Sequence, residues 1–308
     1  QAEGKAESSD GHVLVFGTDN QWFKGQDDVL IIDNDKAEAH AIYTQLRPRI
    51  DALPDWHPSI GVRHEAMGGG DSATVGMLTS LYDLNDNWAV RGQYGSAYKL
   101  PNAEQLFVNE PGDEIGNRNL KPEKSRNAEL GLDYKGLLLD RAFSASVTVF
   151  KRKIDDLITL DDSRWVNGEG QVRMRGFEAD AKLALNAQWS LQADMTRNLT
   201  ESRSGVTIND IPSFFARSRI GFESENRLWG AGGAIRYIRD VTSSKQVEYG
   251  HYSVIDADAY RYLDNARQHR VSLLVENLFD RDYVTSRASN VDNLGRPFTS
   301  EVRYTYRF

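Results

Sequence analysis

The sequence predicts an all-β chain, an antiparallel transmembrane β-barrel meander of about fourteen strands. Three observations carry that prediction: long segments of two-residue alternation, connections that are short and long by turns, and aromatic residues placed beside the short turns.

Alternation comes first. In Asn127–Tyr134, Ala128, Leu130, Leu132 and Tyr134 oppose Asn127, Glu129, Gly131 and Asp133. Trp189, Leu191, Ala193 and Met195 oppose Ser190, Gln192, Asp194 and Thr196 in the same way. Near the end of the chain, Val302, Tyr304, Tyr306 and Phe308 oppose Glu301, Arg303, Thr305 and Arg307. A strand sends successive side chains to opposite faces, so each segment has one apolar and one polar side. Such segments lie near 12–23, 37–50, 56–66, 74–83, 88–98, 124–134, 142–155, 171–185, 189–198, 214–223, 228–238, 252–262, 269–280 and 297–308. Many are close to the roughly 9–11 residues of a tilted membrane crossing, longer than the 5–6 usual in soluble sheets.

The connections come next. Polar turns at Asp51–Asp55, Leu84–Asn87, Lys135–Arg141, Asn186–Gln188, Ser224–Arg227 and Leu263–Gln268 are short. Between them stand the longer Lys24–Lys36, Lys99–Glu123, Asp156–Gly170, Leu199–Ser213, Arg239–His251 and Arg281–Arg296, with Met67–Ala73 the one short member of that set. Along a meander this places short turns at one end and long loops at the other, as in outer-membrane barrels.

The aromatics follow the turns. Trp56, Trp88, Trp189 and Trp229 open strands just after a short turn; Tyr82, Tyr134, Phe222, Tyr262 and Phe308 close strands just before one or at the chain end. Indole and phenol rings favour the boundary between lipid and water, so these positions read as a membrane girdle.

Composition limits the function classes. The 308 residues carry a net charge of −8, which argues against nucleic acid as a partner. There is no cysteine, hence no thiolate metal site. No stretch approaches the roughly 18 apolar residues of a membrane helix. The six histidines are scattered, and acid pairs such as Asp27–Asp28, Asp155–Asp156 and Asp161–Asp162 read as solvated loop charges. Nothing resembles a catalytic constellation or an EF-hand, so the chain is expected not to be an enzyme and to hold no metal. The charged sides, with Arg91, Glu129, Asp133, Glu178, Asp180, Lys182, Arg217, Arg219, Arg303 and Arg307, suit a wide wet interior.

Five motifs in order resemble one family. Tyr98, Lys99, Leu100 and Pro101, with Leu106 and Phe107, resemble a "FRAP…L(Y/F)" box. Asn117–Ser125, with Asn119, Leu120, Pro122 and Glu123, resembles an "NP-L-PE-S" box, although Arg118 replaces its proline. Gly176 and Glu178 match an "arirG-E" strand; Asn277, Leu278, Phe279, Asp280 and Tyr283 match "NLFD--Y"; Gly295, Arg296 and Phe298 match "pGR-f". Together these resemble the TonB-dependent outer-membrane receptors. The resemblance implies that 12–308 is the C-terminal portion of a barrel of about 22 strands, that 1–11 is a polar lead-in, and that the N-terminal plug and early strands are absent. A self-closed barrel of about fourteen strands is the other reading.

The resemblance further implies uptake of an iron chelate, a ferric siderophore first, across the outer membrane with energy from TonB. No covalently bound cofactor is implied; the iron–siderophore complex is cargo. The implied partners are TonB, outer-membrane lipid, and the barrel-assembly machinery, which would read the strand ending on Phe308. Haem or cobalamin uptake, a passive diffusion channel and a soluble β-rich binding module are the alternatives. Pro101–Asn117 lacks the histidine that box-bearing haem receptors usually place there, leaving His251 as another loop histidine. Arginines and aromatics suit an anionic ferric catecholate. The extracellular-loop candidates are Tyr98, Phe107, Arg118, Arg164, Trp165, Arg239, Tyr249 and Arg287, while Glu178, Arg217 and Arg219 are assigned to the wall.

Overall fold

The computed structural model describes residues 2–28, 32–67, 72–168, 170–203, 211–242, 248–288 and 291–308. The elements are β1 Ala2–Glu7, β2 Val13–Asp27, β3 Ile32–Arg47, β4 Trp56–Met67, β5 Ser72–Asp83 and β6 Trp88–Lys99. Next come α1 Ala103–Phe107, β7 Asn109–Glu110, β8 Glu114–Ile115, β9 Glu123–Leu138, β10 Arg141–Asp155, β11 Ile158–Asp161 and β12 Arg164–Asn167. The remainder are β13 Gln171–Ala184, β14 Trp189–Arg203, β15 Phe214–Glu223, β16 Trp229–Arg239, β17 Val241–Thr242, β18 Glu248–Tyr249, β19 Tyr252–Tyr262, β20 His269–Glu276, β21 Val284–Ala288, β22 Val291–Leu294 and β23 Thr299–Tyr306.

Fifteen strands form one sheet in the order β1-β2-β3-β4-β5-β6-β9-β10-β13-β14-β15-β16-β19-β20-β23. The order is that of a meander, with the shorter strands confined to the long connections. The fifteenth strand is β1, inside the stretch expected to be a polar lead-in. It pairs antiparallel from Ala2↔Thr18 to Glu7↔Val13. Its sequence AEGKAE sets Ala2, Gly4 and Ala6 against Glu3, Lys5 and Glu7, but those small residues make too slight an apolar face to mark a strand; backbone pairing with β2 supplies it. A second correction concerns Lys24–Lys36, expected as a loop. There β2 and β3 stay paired through Lys24↔Lys36 and Gly25↔Asp35. A hairpin wet on both sides needs no alternation, so the sequence signal stops before the strands do. β14 likewise runs on to Arg203.

The short turns share a side-chain clamp. In LNDNW, Asn85 Oδ1 accepts the N–H groups of Asn87 and Trp88 at 2.9 and 3.0 Å. In LNAQW, Asn186 Oδ1 accepts those of Gln188 and Trp189 at 2.9 and 2.8 Å. In both, the leucine N–H donates to the tryptophan carbonyl at 2.8 Å. The asparagine closes the turn and starts the next strand on its tryptophan.

The chain divides into two compact units. One comprises Gln1–Gly131, Phe150–Arg175 and Thr200–Val206, the other Leu132–Val149, Gly176–Leu199 and Thr207–Phe308. In the first unit, register places Leu46, Ile60, Leu78 and Tyr94 in one cross-strand row, with Trp56 opposite Tyr82. Leu14, Phe16, Ile42, Leu46, Ile60, Val62, Leu78 and Tyr94 are all exposed. In the second unit, Phe222 lies opposite Trp189 and Ala231, which continues to Ala259 and Leu273. Ile220, Trp229, Ile235, Leu273, Val302 and Tyr304 are exposed on that same face. In each unit the apolar face is the outward one, as an outer-membrane barrel requires.

Several of the expected girdle residues pair with one another, but one member faces the other way. Trp189 and Phe222 rings lie 5.0 Å apart, Phe222 and Trp229 4.8 Å, and Tyr134 and Phe143 5.8 Å. Trp56 Nε1 donates to Ser80 Oγ at 2.8 Å. Tyr262, however, is opposite Arg270, while Trp229 is opposite Arg261. Adjacent residues face opposite ways, so Tyr262 lies on the charged face, where Arg270 covers Tyr260 at 4.4 Å. Phe308 also differs: β23 ends at Tyr306, and Phe308 is fully exposed, packing edge-on against Tyr306 at 4.9 Å.

In a variant series with one tryptophan each, brominated lipids are expected to quench Trp56, Trp88, Trp189 and Trp229 strongly. A Tyr262→Trp reporter in a background without other tryptophans is expected to stay bright. Equal quenching at 262 would mean the register argument is wrong.

Candidate functional site

In the first unit, the long connections after β6 and β10 form a built lobe. α1 is started by a capping box: Asn102 Oδ1 accepts Gln105 N–H at 2.8 Å, and Gln105 Oε1 accepts Asn102 N–H at 2.9 Å. β11, β12, β8 and β7 make a small sheet in that order. The two sequence boxes meet here. Gly116 N–H donates to Val108 carbonyl at 2.7 Å and Asn117 N–H to Gln105 carbonyl at 2.9 Å. Gly116 has to be glycine, because a Cβ would stand 2.7 Å from the Leu106 backbone. Pro101, Val108, Leu120 and Pro122 are buried.

Two polar residues tie the lobe to the sheet. Glu123 is 9% exposed, accepts Ile158 N–H at 3.1 Å and lies 3.5 Å from Lys99 Nζ. Asn167 accepts Lys121 N–H at 2.8 Å and donates to the Lys121 and Asp156 carbonyls at 2.9 Å each. The family-motif residues Pro101, Leu106, Asn119, Leu120, Pro122 and Glu123 thus lie in or beside the joints of the lobe.

The candidates that remain for a ligand sit on its surface. Arg118 is exposed and its guanidinium covers the Phe107 ring at 4.8 Å. Arg164 is exposed at the start of β12, aligned with Ile115. Trp165 is half-buried, with Nε1 donating to Glu114 at 2.5 Å and its carbonyl accepting from Asn117 at 3.0 Å. Phe107, Arg118, Arg164 and Trp165 therefore belong to one lobe. Tyr98 does not. It lies within β6, and its hydroxyl joins the wall below.

That wall cluster went unmarked in the sequence reading. Arg63 donates to Glu65 at 2.5 Å, to Asp19 at 3.3 Å and to Tyr98 at 3.1 Å, and Tyr98 also bonds Glu65. Glu65 is 3% exposed, a buried carboxylate held by an arginine and a phenol. The signal was present as alternation: Val62 and His64 face out, so Arg63 and Glu65 face in. Tyr98 could not be placed that way. It shares parity with the outward Tyr94, but the register with β5 stops at Met77↔Gly95, and beyond it the phenol turns to the charged face.

In the second unit the charged face carries cross-strand ion pairs. Arg219 is bidentate to Asp258, with Nη2 at 3.0 Å, and Arg236 to Asp256 at 2.8 and 3.2 Å. Arg219 thus lies on the charged face, and register puts Arg217 opposite Arg236 on the same face. Arg219 reaches Asp258 by lying over Gly232, where a Cβ would meet its guanidinium at 2.2 Å.

The last two motifs also meet. Asn277 is 1% exposed; its side chain donates to the Arg281 and Arg296 carbonyls at 2.9 and 3.0 Å and accepts Arg281 N–H at 2.9 Å. Asp280 accepts Phe298 N–H at 2.7 Å, and Gly295 N–H donates to Tyr283 carbonyl at 2.8 Å. Of the remaining candidates, Arg287 pairs with Asp292 across the β21–β22 hairpin and lies 5.8 Å from the buried Tyr249 ring. Arg239, expected in a loop, ends β16 opposite Phe214, on the apolar outward face, with Nε 3.1 Å from Asp240. His251 also pairs with Asp240, at 3.3 Å. Among the described residues no three His, Asp or Glu side chains group as a metal site.

Known proteins agree with this architecture. Residues 6–278 match the family described as TonB dependent receptor-like, beta-barrel. The chain belongs to that family. Similar solved structures include the copper transporter OprC (17% identity, TM-score 0.80) and the FrpB iron transporter from Neisseria meningitidis, F3-3 variant (14%, 0.79). A third is a double mutant of the Serratia marcescens hemophore receptor HasR in complex with its hemophore HasA and heme (16%, 0.75). Each match covers 99% of this chain and 56%, 54% and 58% of the other, so the chain spans little more than half their length. These likenesses show the fold; the family's members are outer-membrane proteins.

Asn277→Ala removes three side-chain hydrogen bonds at a buried site and is expected to cost about 2–4 kcal/mol, read as a lower unfolding midpoint in detergent. A midpoint unchanged from wild type would refute the clamp. The hairpin gives a pH test. The Arg287 guanidinium holds Asp292 below its ordinary carboxylate value. A depressed folded value means the pair stabilises the hairpin fully above the ordinary carboxylate range and is lost as pH falls through the depressed value. Protection of the amides across 284–288 and 291–294, relative to their intrinsic exchange rates, is therefore expected to fall on acidification, and Asp292→Asn to lower it at every pH.

Proposed function

We propose that this barrel belongs to a receptor that takes up an iron chelate, a ferric siderophore, with energy from TonB. The observation that carries the reading is the lobe surface, where Arg118 lies over Phe107 and Arg164 stands exposed on β12 of the same lobe. Guanidinium and aromatic faces together suit an anionic, aromatic chelate. The lobe sequence 101–117 offers no histidine, which favours a siderophore over haem. His251, the other haem candidate, is engaged with Asp240.

In this reading the lobe captures the chelate, and the charged face with Arg63, Glu65 and Tyr98 lines the interior that a plug would fill. No bond to the cargo is made or broken. The iron complex is substrate, not a resident cofactor. Outer-membrane lipid covers the apolar face. The terminal aromatic, free of the sheet at Phe308, is offered to the barrel-assembly machinery.

The test is a ligand panel on the receptor in its own membrane: ferric catecholates, ferric hydroxamates, haem and cobalamin. Uptake of a ferric catecholate that stops with an uncoupler is expected. Arg118→Ala with Arg164→Ala is expected to raise the half-saturating concentration by about tenfold to a hundredfold, one or two charge-assisted contacts. Steady conductance in planar bilayers without cargo would instead establish a passive channel. Unchanged uptake in the double variant would remove the lobe from recognition.

A further inference from the structure

The outward face of the first unit carries a two-part cleft that chelate uptake does not use. Pairing between β5 and β6 ends at Met77↔Gly95, and beyond it Ser96 Oγ takes the Gly76 N–H at 3.0 Å. Gly76, in the outward row with Val62 and Leu78, has no side chain, so the sheet surface sinks there. The result is an apolar cleft of about 680 Å³ walled by Leu46, Ile60, Val62, Leu78 and Tyr94.

A second cavity of about 250 Å³ adjoins it, lined by Ser72, Thr74, Lys124, Ser125, Arg126 and Asp155. Ser96 and Arg126 line both. Around Asp155, the one carboxylate among the described lining residues, stand Arg126 at 3.5 Å and Lys153 at 3.4 Å, with Gln171 donating at 2.8 Å. Arg173 in turn donates to Gln171 at 2.8 Å. With Lys124 in the lining, cations outnumber the carboxylate. An apolar trough running into a hydroxyl-lined cationic pocket is complementary to one kind of molecule, an amphiphile with an anionic oxygen-rich head.

We propose that this cleft binds a phosphate-bearing lipid of the surrounding membrane. An acyl chain fills the apolar part, and the phosphate sits at Lys124 and Arg126 among the Ser72, Thr74 and Ser96 hydroxyls. The proposal rests on the outer-membrane reading but not on any cargo. It also gives Gly76 a role: a Cβ there would meet nothing nearer than the Gly61 carbonyl at 3.7 Å, so the fold tolerates a side chain that the cleft would not.

The experiment is native mass spectrometry of the full receptor in detergent, titrated with bisphosphorylated lipid A, with a diacylglycerol and with inorganic phosphate. One lipid A per protein is expected to bind in preference to both others. Gly76→Leu and the Lys124→Gln, Arg126→Gln pair are each expected to weaken it by about tenfold or more, the size of one lost charge-assisted contact or anchor. Diacylglycerol binding as well as lipid A would overturn the head-group pocket, and phosphate binding as well would overturn the acyl cleft. Binding unchanged in both variants would overturn the site. Chelate uptake measured on the same variants separates this outcome from failure of the transport reading, which would leave lipid binding intact.

Discussion

Every backbone amide in a lipid-covered wall has to find its partner inside the protein, because hydrocarbon offers none. The fold depends on that constraint. It forces continuous antiparallel pairing along the crossing, and continuous pairing forces the two-residue period. From the period follow an apolar row such as Leu46, Ile60, Leu78 and Tyr94 on one side and charged residues such as Arg63 and Glu65 on the other. Where the constraint ends, the regularity ends. Past Gly95 a serine hydroxyl replaces a ladder bond, and there the wall opens into a cleft.

The same constraint explains which parts could be read from the sequence. Strands between a wet interior and lipid announce themselves, and fourteen of the fifteen were legible in that way. Strands with water on both sides do not, and the outer ends of β2 and β3 are of that kind. β1 does alternate, but with only alanine and glycine against its charged residues it has no large apolar side chain to mark it. The misplaced girdle tyrosine has a related cause. Tyr262 sits beside its short turn as Phe222 sits beside its own, but parity, not distance from the turn, decides the face. Trp229 opposite Arg261 shows that the parity of β19 puts the arginine outward and the tyrosine inward.

Site residues were less legible, for a different physical reason. Loop side chains are positioned by contacts between segments remote in sequence. Trp165 is fixed by Glu114 and Asn117, and Arg118 by the aromatic it covers. No spacing rule reports such contacts. The motifs that identified the family turned out to be the joints that create them: the two boxes meet at Gly116 and Gln105, and Asn277 holds the Arg296 carbonyl of the glycine–arginine motif. Short motifs persist in the reading because a joint needs particular residues, whereas a binding surface needs only charge and rings in the right place.

The charged face adds one more regularity. Side chains there reach across three strands, and at three of these crossings a glycine occupies the strand between. Tyr43 on β3 bonds Glu3 on β1 at 2.8 Å over Gly17. Tyr260 on β19 bonds Glu223 on β15 at 3.0 Å over Gly230, and Arg219 bonds Asp258 over Gly232. A Cβ at any of the three would stand 2.2–2.6 Å from the crossing side chain. Glycine weakens a strand through its conformational entropy and lack of side-chain packing. Here the strand recovers a polar tie that spans two hydrogen-bonded ladders at once. Such ties resist shear between neighbouring strands, and a sheet whose outer face meets only fluid hydrocarbon has few other means of fixing its register.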